Sequence, residues 1–202
     1  MVLIFWALIA FFCSSIPWAM VLGFFFLNRD IREIGDHNPG GANAWKMGGW
    51  KIGLSAVLLD LAKAFIPLYC AIYLGGIESW SLSVIAGSSL LGHAFTPFLK
   101  FRGGKSLAVT GGIWAAISNG WLIIPVMISL ATFHSLQKTH VWTIIFTMFV
   151  ILSWIFLRYS SPAMIILWVF NMNLIVLKHR NEIRDGVIPR NWLLNMVRKE
   201  ND

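Results

Sequence analysis

Charge is what this chain has least of. Asp, Glu, Lys and Arg make up only 12% of its 202 residues, against roughly a quarter in soluble domains. That scarcity excludes an ordinary water-exposed globular surface. Cysteine is scarce as well. Cys13 and Cys70 both fall in apolar runs, where they read as small buried hydrophobes rather than a disulfide framework or a metal site. No Lys or Arg precedes Arg29, so the first apolar run lacks the basic start of a secretory signal. It also outlasts the ~7–15 apolar residues of such a signal, and a retained first membrane helix is expected. Low-complexity segments and internal repeats are missing too, and a single membrane-embedded domain over 1–202 is expected.

What is abundant is apolar. Such residues make up 57% of the chain and gather at 3–27, 52–74, 82–99, 141–157 and 162–177. These runs lie near or above the ~17–25 residues that cross a bilayer. The formal charge of +7 points to loops rather than to a nucleic-acid partner. Basic residues concentrate in 28–51, in 100–105 and beyond 178, whereas GGIESWS (75–81) has none. The positive-inside rule then places those basic segments and the C-terminus in the cytoplasm, and the N-terminus and 75–81 outside. Segment 107–134 must return to the side it left. Asn119-Gly120 marks a turn near its middle, giving arms that reach only ~21 Å at 1.5 Å per residue. The expected fold is an all-α polytopic integral membrane protein with about seven helices, two of them short.

Three basic segments carry the chemistry. The first, 28–51, is rich in glycine and asparagine and reads as a poor helix, with backbone N–H groups free to form an anion-binding nest. Arg32, Lys46 and Lys51 surround it. The second is FRGGKS (101–106). It has the end of a nucleotide-binding P-loop, but Leu99 stands where that motif requires glycine, and the lead-in GHAFTPFL is the end of a membrane helix. A nucleotide site is therefore rejected. Gly103 and Gly104 still allow close backbone approach, Arg102 and Lys105 add charge, and a helix starting at Ser106 favours an anion. The third segment, KHRNEIRDG (178–186), follows the last apolar run and, taken alone, reads as a topology signal or a lipid-headgroup contact. Within the second run, Asp60 and Lys63 share a helix face at i, i+3 and are expected to pair. His93 lies beside the GGK loop, whereas His134 and His140 read as interfacial.

In order and spacing, these segments resemble the bacterial acyl-phosphate-dependent glycerol-3-phosphate acyltransferases. The family's G-S-G-N-x-G-A-T-N-x-x-R corresponds to GDHNPGGANAWK (35–46), which keeps Gly35, Asn38, Gly40 and Asn43. Its G-H-x-F-P-x-F-x-x-F-[KR]-G-G-K-G corresponds to GHAFTPFLKFRGGKS (92–106), and H-R-x-N-I to HRNEI (179–183). LDLAK (59–63) and RYSS (158–161) match L-D-x-x-K and R-Y-x-S. The resemblance implies acyl transfer from acyl phosphate to the 1-hydroxyl of glycerol 3-phosphate at the cytoplasmic face of a bacterial cell membrane. Lysophosphatidic acid and phosphate would be the products. It also implies no cofactor or metal, and a monomer is expected. His179, Lys105 and Ser161 would act in catalysis. Gly35, Asp36, Asn38, Gly40, Asn43, Lys46, His93, Arg102, Gly103, Gly104, Ser106, Asn181 and Glu182 would line the phosphate sites.

Several positions depart from the family. Asp36 replaces Ser and His37 replaces Gly, Lys46 replaces Arg, and Thr96 replaces Pro. Ser106 replaces Gly, and Glu182 stands where Asn is usual. A carboxylate in a phosphate site weakens binding. A divergent or inactive paralogue with another acyl acceptor is one alternative, and a transporter of a phosphorylated solute is another. The acyl-CoA-dependent class uses His-x4-Asp, and none of the five histidines fits that spacing.

Overall fold

The computed structural model describes residues 1–158 and 160–192. Tyr159 of RYSS, and Arg198 and Lys199 of the basic tail, lie outside them. The described residues are helical, without a β-sheet. α1 (Val2–Ser15) and α2 (Trp18–Leu22) form one broken span that ends in a π turn (Gly23–Leu27). α3 covers Gly41–Tyr73, α4 Ser79–Ala94, α5 Leu107–Ile117, α6 Ile123–Leu136, α7 His140–Arg158, α8 Pro162–Lys178 and α9 Arg180–Ile183. By length and composition, Val2–Leu27, Gly41–Tyr73, Ser79–Leu99 and His140–Arg158 can cross a membrane, and α5, α6 and α8 are shorter apolar helices. The chain is an all-helical integral membrane protein. The two short helices expected are α5 and α6, and α8, with 17 residues, stands at the lower edge of the ~17–25 that cross a bilayer.

The expectation that 28–51 avoids helix is corrected. Helix begins at Gly41 and is broken only at Gly49 (φ 72°, ψ −171°). The break turns the first two turns of α3 back along the next ones. A Cβ on Gly41 would strike Val57 at 2.5 Å, and one on Gly53 would strike Trp45 at 2.5 Å. Glycine was read as a helix breaker here, but its lack of a side chain is what lets two helical pieces touch. The 107–134 hairpin forms as anticipated, with α5 and α6 meeting at a turn in which Asn119 and Gly120 have φ of 50° and 85°.

α1 packs on α4, α3 on α5, α4 on α8 and α6 on α7. The core between them holds Leu68, Ile85, Leu90, Ile113, Trp114, Met148, Ile155 and Ile175. Lipid cannot hydrogen-bond, so every polar group inside must find a protein partner. Trp114 Nε1 donates to Asn171 Oδ1 (3.0 Å), and Asn171 Nδ2 donates to Thr110 Oγ1 (2.9 Å). At the Ile16–Pro17 break the carbonyls of Ser15 and Ile16 lose their helical partners. Thr96 Oγ1 donates to Ser15 O (2.6 Å) and Lys63 Nζ to Ile16 O (2.6 Å). Lys63 also pairs with Asp60 at 2.7 Å, both side chains being almost fully buried. The two charges neutralise each other while Lys63 ties α3 to the break in the first span.

Candidate active site

The GGK loop is built against the end of α4. The N–H of Gly103 donates to Ala94 O and that of Gly104 to His93 O, each at 3.2 Å. A Cβ on Gly103 would lie 1.9 Å from His93 O, and one on Gly104 2.3 Å from His93 Nε2. These glycines seat the loop on the helix end, and their N–H groups are already engaged. The loop's free donors therefore lie just beyond them. Ser106, the residue before α5, has φ 62° and does not cap the helix with its side chain. The first-turn N–H groups of α5 consequently point outward. Ser106 Oγ is buried and without a hydrogen-bond partner.

Lys105 sits at the centre. Its Nζ lies 2.7 Å from Asp36 Oδ2 and also contacts Glu182 Oε1. Asp36 is fixed from behind, because its Oδ1 accepts from Asn43 Nδ2 (2.9 Å) and Asn38 N–H (3.2 Å). Asn43 Nδ2 also donates to Asn38 O. Gly35, at φ 65°, leaves room for this: a Cβ there would meet Asn43 Oδ1 at 2.3 Å and Lys46 Nζ at 3.3 Å. Gly40 abuts the Asn38 side chain in the same way. Burial acts to lower the Lys105 pKa, but its hydrogen bonds with Asp36 and Glu182 outweigh this and hold it above the ordinary lysine value. Burial acts to raise Asp36, yet Lys105 and the two Asn contacts hold it below the usual carboxylate range.

His179 closes α8. Its Nδ1 lies 2.9 Å from Ile175 O; a carbonyl only accepts, so Nδ1 carries the proton and Nε2 presents a lone pair. Nε2 is buried and has no partner among the described residues. Burial pushes His179 below its ordinary pKa; the Ile175 carbonyl opposes this, and the Lys105 charge reinforces it. Lys178, which precedes it, donates to Ala94 O (2.5 Å) and Gly103 O (3.4 Å) and lies 4.6 Å from the centre of the Phe95 ring. Lys178 thus pins α8 to the GGK loop and positions His179.

The structure gathers Gly35, Asp36, Asn38, Gly40, Asn43 and Lys46 around one loop, with His93, Gly103, Gly104, Lys105, Ser106, His179 and Glu182 around its neighbour. Arg102 and Asn181 are exposed and contribute no contact to Lys105. Arg32, expected to help hold an anion, is paired with Asp30. Ser161 is a correction. It precedes the first turn of α8 while His179 follows the last, which puts them about 25 Å apart at 1.5 Å per residue. Ser161 therefore cannot act on the same reacting group as His179. The α6–α7 turn reaches the site instead. His140, read from sequence as interfacial, interacts electrostatically with Glu182 and Lys105 and with His179. The buried Thr139 Oγ1 beside it has no partner.

Comparisons with known proteins decide what this arrangement belongs to. A glycerol-3-phosphate acyltransferase family profile matches residues 4–187. The chain belongs to the glycerol-3-phosphate acyltransferase family. It is 31% identical over 181 residues to the glycerol-3-phosphate acyltransferase of Endomicrobium trichonymphae, with 90% of each chain covered. It is 30% identical to glycerol-3-phosphate acyltransferase 1 of Thermotoga maritima, over 77% of this chain and 83% of that one. With the Maridesulfovibrio salexigens enzyme it is 34% identical over 67% of this chain, spanning 64% of the relative's length. A crystal structure of the integral membrane glycerol 3-phosphate acyltransferase PlsY (YgiH), in its glycerol 3-phosphate form, superposes with a TM-score of 0.81 at 26% identity, covering 90% of both chains. The lysophosphatidic acid form gives 0.79. Family membership accounts for the order of the three basic segments along the chain.

Proposed function

We propose that this chain transfers a fatty acyl group from acyl phosphate to the 1-hydroxyl of glycerol 3-phosphate, yielding lysophosphatidic acid and inorganic phosphate. The reaction takes place at the cytoplasmic face of a bacterial membrane, where the basic loops and the C-terminus lie and the N-terminus does not. The observation that carries the reading is the meeting of Lys105, the unpartnered His179 Nε2 and the uncapped first turn of α5 at one end of the helices.

An acyl phosphate is already activated, so the protein need only hold two phosphates, align the hydroxyl and stabilise the oxyanion. Lys105, Ser106 Oγ and the α5 N-terminus hold the donor phosphate. The Asn38/Asn43 loop with Lys46 holds the acceptor phosphate. The acceptor hydroxyl attacks the acyl carbon, the carbon–oxygen bond to phosphate breaks, and the leaving phosphate stays on Lys105. The hydroxyl proton passes to His179 Nε2 or to the departing phosphate. The acyl chain lies between helices, open to lipid.

The test is release of phosphate from palmitoyl phosphate by purified protein with labelled glycerol 3-phosphate. Lys105→Ala is expected to lower kcat/KM by about 10²-fold or more, and palmitoyl-CoA is expected to give no product. Undiminished turnover by Lys105→Ala, or turnover with palmitoyl-CoA, overturns the reading.

A further inference from the structure

We propose that Asp36 and Glu182 are specificity-determining residues that set the phosphate charge this site favours, acting as an internal carboxylate clamp on Lys105. The proposal rests on the reading of Lys105 as a phosphate-holding residue.

An ammonium has three N–H donors, and two of them already meet carboxylates from opposite sides. One positive and two negative charges leave the trio net negative. A dianionic phosphate entering at Lys105 finds one remaining N–H and two repelling carboxylates, and gains a second donor only by displacing one of them. A monoanion meets half that repulsion.

The two arms differ. Asp36 is tethered by Asn43 and the Asn38 N–H in addition to Lys105, so it stays. Glu182 makes its described hydrogen bond to Lys105 alone and stands on the four-residue α9, so it is the arm that swings away. Its surroundings hold the Asp36 carboxyl below the usual range, so that arm keeps its charge near neutral pH. The family pattern has serine and asparagine at these two places, neutral groups that hydrogen-bond a phosphate without repelling it. Both carboxylates depart from that pattern, and they converge on one nitrogen although 146 positions separate them in sequence.

The experiment measures binding rather than turnover. Purified protein in nanodiscs is titrated calorimetrically at about pH 8 with inorganic phosphate, there mainly a dianion, and with dimethyl phosphate, a monoanion. The proteins compared are wild type, Asp36→Ser, Glu182→Gln, the double variant and Lys105→Met. Each carboxylate variant is expected to tighten inorganic phosphate about tenfold, the size of one charge-assisted contact. Dimethyl phosphate should gain less, so that preference for the dianion rises. Glu182→Gln preserves side-chain shape and carries the test alone if Asp36→Ser unfolds. Unchanged or weakened affinity for the dianion in Glu182→Gln, with unchanged preference between the two ligands, overturns the clamp. Wild-type phosphate affinity in Lys105→Met overturns the underlying reading of Lys105 instead, and the two failures are thereby told apart.

Discussion

Ser106→Gly should make the protein more stable and a poorer enzyme at once. Ser106 has φ 62° and ψ 14°, a left-handed conformation that costs a non-glycine residue roughly 1–2 kcal/mol. Its Oγ is buried without a partner, which costs a further ~1–3 kcal/mol relative to water. Glycine removes both penalties and gives back ~0.5–1 kcal/mol through its greater freedom in the unfolded chain. A net gain of about 2 kcal/mol is expected, equivalent to roughly 4–8 °C in Tm for a chain of this length. Ser106→Ala loses the orphaned hydroxyl but keeps the strain, and should fall between the two. Tryptophan fluorescence during heating in detergent reads the stability. Under the proposed function the same hydroxyl holds the donor phosphate, so KM for acyl phosphate should rise about tenfold, the worth of one hydrogen bond to a charged group. A Tm equal to or below wild type would refute the account of Ser106 as a strained, unsatisfied residue.

Two further outcomes follow from the buried groups. Burial holds His179 below its ordinary pKa of about 6.5, so the unfolded chain takes up that proton first. Its contribution to stability is fully present above about pH 6.5 and is lost as pH falls through the lower folded value. His179→Asn should flatten the acid side of a Tm-against-pH profile, and an unchanged profile would remove His179 as its cause. Lys63→Met strands Asp60 and leaves Ile16 O with only the Trp18 N–H as donor, at a cost of about 3–5 kcal/mol. Asp60→Asn/Lys63→Met should recover most of that loss in thermal melts; a double variant as unstable as the single would show that the charge is not what matters.

Much of this was legible in the sequence because membranes impose simple rules. Apolar runs located α1, α4, α7 and α8 to within a few residues, and Asn119-Gly120 located the α5–α6 turn. The loops around Lys105 and Asn43 were legible from motif alone. Close contacts between distant residues were not. Gly41 read as a helix breaker and Gly53 as an ordinary member of an apolar run, and only the approach of Val57 and Trp45 shows why glycine stands at each. Gly103 and Gly104 look like an anion cradle, yet their N–H groups face the end of α4. RYSS matches a family pattern in letters, but α8 carries Ser161 to the far end, and His140 takes a place beside Glu182 that no local signal announces. The meeting of Asp36, Lys105 and Glu182 depends on three segments converging, a property of packing rather than of any one stretch.

The break at Ile16–Pro17 has a consequence for how the chain is made. The first span leaves the ribosome long before Lys63 and Thr96 exist to receive the carbonyls of Ile16 and Ser15. A newly inserted first helix therefore holds Ser15 O without the donor it finds in the finished fold, at a cost of several kcal/mol, while Ile16 O has only the Trp18 N–H. That debt is cleared only when α3 and α4 have followed it into the bilayer. The first helix is thus an incomplete guest of the membrane until almost half the chain is synthesised. Biogenesis of the catalytic loop, which hangs from the same α4 end, is coupled to the moment at which that first helix becomes stable.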